Sequence, residues 1–179
     1  AKRGTYATAH AHGAEGIKVA VRAGVRSIEH GSLIDDEGIA LMKAKGAWLV
    51  ADIYNGDYID EIGTKNGWPA ETLRKNRETT DAQREGFRKA VKAGVRIAYG
   101  TDASVYPHGL NARQLPYMVR YGMTPMQAIQ SATTSAATLM GKEKDVGCAQ
   151  AGCFADLIAV KGDPLADVGI LADVAKVMK

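Results

Sequence analysis

Two cysteines are too few to build a zinc knuckle. Cys148 and Cys153 form a C-x4-C pair in a glycine-rich segment, with no further metal ligand close by. They are expected to be two reduced cytosolic thiols. Long apolar runs are also missing: stretches such as Ala47–Ala51 are far too short to cross a membrane. Lys2 and Arg3 precede no apolar segment, so no signal peptide is expected and the chain reads as cytoplasmic. Charge of one sign is lacking as well. The 23 basic and 20 acidic residues are interspersed and leave a net +3. No basic stripe argues for nucleic acid. Finally, there is no glycine-rich phosphate loop: "HGAEG" at 12–16 is not G-x-G-x-x-G, and no Walker A sequence occurs.

What the chain does have is apolar content of 46% over 179 residues, enough to bury one substantial core. It also has a faint internal repeat. "AVRAGVRSIEHGS" (20–32) and "AVKAGVRIAYGTD" (90–102) share A-V-[RK]-A-G-V-R followed by an apolar run, and "LMKAKGAWLVADIY" (41–54) follows the same grammar more weakly. In each, helix-compatible residues stop at Gly24, Gly46 or Gly94, where a left-handed C-cap is favoured. An apolar run follows at once: Val25–Ile28, Ala47–Ile53, Val95–Tyr99. These runs lack clean alternation, as parallel strands covered on both faces do. Upstream lie amphipathic patterns, such as Ile17, Ala20 and Val21 on one stripe and Phe87, Ala90 and Val91 within the charged stretch 70–93. The exposed charges of Glu71–Arg88 read as a solvated helix face.

The reading is β-α-β-α-β-α-β over residues 5–102, hence a parallel sheet. Each strand delivers a polar group at its C-terminal end: His10, then Glu29-His30, then Tyr54-Asn55, then Thr101-Asp102. That is the layout of a (β/α)8 barrel, whose active site is built from strand ends. Beyond Asp102, "ASVYPHGLN" reads as a lid or wall, followed by helices over 112–121 and 124–140, the second opened by Thr124-Pro125. The tail turns glycine-rich and then strand-like at Leu157–Val160, a small β-element outside the barrel.

His10, His30 and Asp102 are candidates for one metal site. A borderline cation such as Zn²⁺ takes imidazole nitrogen and carboxylate oxygen, and strand ends of a closed barrel converge on its mouth. His12 shares a strand face with His10. It contacts substrate, orients a ligand, or sits beneath the loop. Tyr54 either holds a substrate carboxylate or forms a wall, and His108 is a loop residue or a substrate contact. Arg113 reads as a surface cation.

The ordered motifs "HAHG", "IEHG", "YGTD", "SATTSAATLMG" and "GCFADLIAVKGDPL" resemble the metal-dependent amidohydrolase superfamily, and within it the prolidase-like Xaa-Pro dipeptidases and carboxypeptidases, near the imidazolonepropionases. The resemblance implies that residues 1–145 are the C-terminal half of a TIM (β/α)8 barrel, strands five to eight. Residues 146–179 would be part of a small outer β-domain, cut short at Lys179. It aligns His10 and His30 with the ligands of the second metal of a binuclear Zn²⁺ pair. It gives Asp102 the first metal and the catalytic proton transfer. The strand-one H-x-H pair and the bridging lysine of strand four have no counterpart. The expected function is hydrolysis of a peptide or related amide bond of a small substrate by metal-activated water. The alternative is a non-catalytic, incomplete half-barrel. An open half-barrel is expected to associate, with itself or with a separately supplied N-terminal half.

Overall fold

The computed structural model describes residues 5–174 and 176–178; Lys2, Arg3 and Lys179, on which expectations above bear, lie outside the described residues. Four strands, β1 (Thr8–Gly13), β2 (Ser27–Leu33), β3 (Trp48–Val50) and β4 (Arg96–Ile97), form one parallel sheet in the order β1-β2-β3-β4. The order never reverses, as it does in a doubly wound sheet. Helices α1 (Ala14–Arg22), α2 (Asp36–Lys45), α3 (Asn55–Lys65) and α4 (Ala70–Ala93) fill the crossovers. α5 (Gln114–Arg120), α6 (Pro125–Ala132) and α7 (Thr134–Met140) follow. Strands β5 (Leu157–Ala159) and β6 (Lys176–Met178) pair antiparallel in a separate two-stranded sheet. Among the described residues, no helix is long and apolar enough to cross a membrane.

Local chemistry explains the boundaries. α2 begins where Asp35 Oδ1 accepts from the Gly38 amide at 2.7 Å. It ends at Gly46, φ 66°, and α4 ends at Gly94, φ 77°. Both are left-handed stops that glycine adopts without a Cβ penalty. Thr124 and Gln127 form a reciprocal capping box at the start of α6, with Pro125 in its first turn. The core lies between sheet and helices, where Ile17, Ile28, Met42, Leu49, Phe87 and Ala90 are buried.

Several elements differ from their expected extents. The apolar run 47–53 is not one strand: pairing stops at Val50, and "YNGDY" forms the start of α3. The run 95–99 contributes only Arg96 and Ile97 to the ladder. The helix expected over 124–140 breaks at Thr133, φ −123° and ψ −96°, into α6 and α7. There the Ser131 and Thr133 hydroxyls donate back to the Ala128 and Ile129 carbonyls, offering the chain partners other than the helix ladder. The cysteines are not free thiols: Cys148 and Cys153 form a disulfide. Gly147 (φ 78°) and Gly152 (φ 99°) turn the segment back on itself and bring the two Cα atoms to 6.2 Å, within disulfide reach.

α3 packs tightly on α4 through Gly56. A Cβ built there would lie 2.7 Å from Thr80 Cβ and closer still to the two groups that Thr80 carries. A β-branched side chain cannot swing clear. Gly56→Ala is therefore expected to destabilise by about 1–3 kcal/mol through overpacking, read as a lowered urea midpoint at unchanged slope.

Candidate metal and active site

β1 and β2 run in register with His10 opposite Glu29 and Ala11 opposite His30. Side chains alternate across a strand, so His10 and His12 share a face; His30, paired with Ala11, would point to the other face in a regular strand, yet its ring lies with theirs. Ring centroids lie 4.5 Å apart for His10 and His30, 4.6 Å for His12 and His30, and 4.7 Å for His10 and His12. Beyond His30 the backbone turns left-handed, φ 69° at His30 and 62° at Gly31. A Cβ at Gly31 would lie 2.6 Å from Leu49 Cδ1, so the turn requires glycine there. Asp102 is left-handed too, φ 49°. Two non-glycine residues held this way at one site fit the tendency of backbone strain to collect at functional positions.

Two overlapping groups of donors result. Ligand atoms of His10, His12 and His30 lie within 4.8 Å of one another, as do those of His30, Asp52 and Asp102. His30 belongs to both. A cleft of about 230 Å³ is lined by His10, Glu29, His30, Asp52, Thr101 and Asp102. A second recess, of about 220 Å³, adds His12, Ser32, Asn55 and Thr80 beside it. Burial, and then the neighbouring His30 and His10 imidazoles, hold the pKa of His12 below the ordinary histidine value. Its Nδ1 is 2.8 Å from Ser32 Oγ.

The strand ends are pinned from behind. Gln114, fully buried on α5, donates to the carbonyls of Ala51 and Gly100, the residues just before Asp52 and just upstream of Asp102. Asn111 Nδ2 donates to Thr101 Oγ1 at 3.0 Å. These bonds fix the backbone that presents the two carboxylates.

The structure thus brings His10, His30 and Asp102 around one cleft and adds His12 to the ring cluster. Tyr54 is buried elsewhere: its ring packs against Tyr106 and Tyr117, and its hydroxyl is 3.5 Å from an Arg113 nitrogen. Exposed His108 does not line either recess. Asp52 was missed from the sequence. The available signal was an acid just past a strand, the position that supplies Asp102 after β4.

The imidazoles and carboxylates gather at the C-terminal ends of parallel strands, the end at which barrel enzymes build their active sites. The amidohydrolase family model matches residues 1–179, and the chain belongs to the amidohydrolase family. A solved Xaa-Pro dipeptidase with methionine bound in its active site is 43% identical, with a TM-score of 0.92 over 99% of this chain and 44% of that one. A prolidase complexed with N-methylphosphonate-L-proline is 32% identical, with a TM-score of 0.87 over 98% of this chain and 44% of that one. The ochratoxinase of Aspergillus niger is 36% identical over 177 residues, 97% of this chain and 36% of the relative. The chain therefore spans less than half the length of these relatives.

Proposed function

We propose that this chain carries part of the active site of a metal-dependent amidohydrolase that cleaves a peptide or related amide bond of a small, dipeptide-like substrate. The observation that carries this reading is the donor set: imidazoles and carboxylates, delivered by separate strand ends, within 4.8 Å of their group neighbours around one cleft. That mixture of nitrogen and oxygen donors suits Zn²⁺. The relatives, more than twice as long, support assigning these strands to positions five to eight of a TIM barrel, with residues 146–179 in an outer β-element. The partner of the open sheet is then the remaining barrel strands, on another segment or a second copy.

His10, His30 and Asp102 would hold the metal, as a binuclear pair once the barrel is complete. When bound, the cation supplies Lewis acidity to the scissile carbonyl and to the attacking water. Asp102, exposed at the cleft, takes the water's proton on a carboxylate oxygen and returns it to the leaving amine nitrogen. His12, at the rim of the second recess, contacts the substrate. Tyr54 is given the role of a wall and His108 that of a loop residue.

Elemental analysis of the purified chain tests the reading. At least one Zn²⁺ per chain, lost in His10→Ala, is expected; a metal-free chain that takes up none on titration would overturn it. In chelator competition, His30→Ala is expected to weaken Zn²⁺ binding by about tenfold or more, with His108→Ala matching the parent. His12→Asn is expected to keep the metal and raise KM for a dipeptide. Loss of metal in that variant would make His12 a ligand.

A further inference from the structure

His30 stands where both donor groups meet, and its ring has one nitrogen already committed. Nδ1 lies 3.1 Å from Asp52 Oδ1. Asp52 itself is buried, about 9% exposed, on the short turn between β3 and α3. Each of its oxygens accepts a hydrogen bond: Oδ1 from Gln83 Nε2 at 2.7 Å and Oδ2 from Asn55 Nδ2 at 2.7 Å. Gln83 comes from α4 and Asn55 from α3, so two helices fix one carboxylate. The same Gln83 amide reaches the His30 carbonyl at 3.5 Å, bracing the left-handed backbone of that residue.

We propose that Asp52 is the positioning residue of His30. Its carboxylate holds the proton on Nδ1, leaving Nε2 with a free lone pair turned to the cleft. A buried carboxylate beside one ring nitrogen selects the tautomer in which that nitrogen carries hydrogen. Partners of this kind orient an imidazole and raise its basicity as a ligand. Asp52 is also within 4.8 Å of Asp102 and could be mistaken for a ligand. Its two hydrogen bonds from Gln83 and Asn55 and its 3.1 Å approach to His30 Nδ1 turn it toward the protein instead. The tautomer assignment stands on the chain alone; only its effect on metal binding rests on the function proposed above.

The test uses the 179-residue chain stripped of metal, with imidazole nitrogen NMR shifts recorded where His30 is neutral. The parent is expected to show His30 with hydrogen on Nδ1. Asp52→Asn is expected to populate the Nε2–H form, because a neutral amide can either donate or accept. This variant can fold, since Gln83 can flip to accept from an amide nitrogen at the Oδ1 position while Asn55 Nδ2 still donates to the remaining oxygen. Gln83→Met leaves the carboxylate in place and is expected to keep the parent tautomer. Zn²⁺ affinity is expected to fall by about 10–100-fold in Asp52→Asn.

A parent ring protonated on Nε2, or an unchanged tautomer in Asp52→Asn, overturns the proposal. So does an equal tautomer shift in Gln83→Met, which would make packing the cause. Lost Zn²⁺ affinity with an unchanged tautomer would assign Asp52 to the metal itself. A parent with the tautomer fixed on Nδ1 and no Zn²⁺ binding would sink the metal site and leave the positioning role standing.

Discussion

Asp102→Asn is expected to lower kcat for dipeptide hydrolysis by about 10²–10⁴-fold, the usual weight of a lost acid–base group, with KM nearly unchanged. The measurement belongs in the assembly that turns over the substrate. Metal content is measured alongside, because Asp102 is also one of the proposed ligands. Asparagine accepts the left-handed φ of 49° at this position better than most residues do, so the backbone has no reason to move. The amide keeps an oxygen that can approach a cation, yet it cannot receive a proton near neutral pH. A kcat within tenfold of the parent, with an unfolding midpoint also unchanged, would remove Asp102 from proton transfer.

The second large effect is structural. Phe87 on α4 is 1% exposed and sits in the core with Ile28, Ile34 and Met42. Phe87→Ala deletes an aromatic ring from a close-packed interior and is expected to cost about 3–5 kcal/mol, transfer and cavity terms together. Domains of this kind are stable by only about 5–15 kcal/mol, so urea unfolding should show about a fifth or more of the total lost. The consequence reaches the site, because α4 also carries Gln83. A loss below about 1 kcal/mol would mean that α4 does not seal the sheet as described.

How much of this was legible in the sequence depended on the range of the interactions. The stops at Gly46 and Gly94 and the start at Thr124-Pro125 are decided within one helical turn, and they stand where the sequence placed them. His10, His30 and Asp102 were marked out because each stands at the C-terminal end of an expected strand. Asp52 could not. Its strand pairs over only three residues, and the apolar run 47–53 hides where pairing stops and turning begins. α3 was hidden for a related reason: Gly56 and Gly63 weaken its helical signal, and both are needed because α4 and Trp68 approach too closely for a side chain. The Cys148–Cys153 bond depends on two left-handed glycines whose joint effect on chain direction no local pattern announces.

The uninterrupted strand order has a bearing on how the molecule assembles. The first two strand pairings each close a short loop, whereas joining β3 to β4 encloses more than twice as much chain, because α3 and α4 both lie between them. Closure entropy rises by about 0.6 kcal/mol for each doubling of loop length, and β4 repays it with only two ladder positions, Arg96 and Ile97. β4 is therefore expected to dock last, onto the β1-β2-β3 unit. In hydrogen exchange, the Ala98 amide, bonded to the Leu49 carbonyl, should open more readily than the amides that link β1 to β2. The histidines would be in place before Asp102 arrives, so folding itself would bring in the last carboxylate of the cleft.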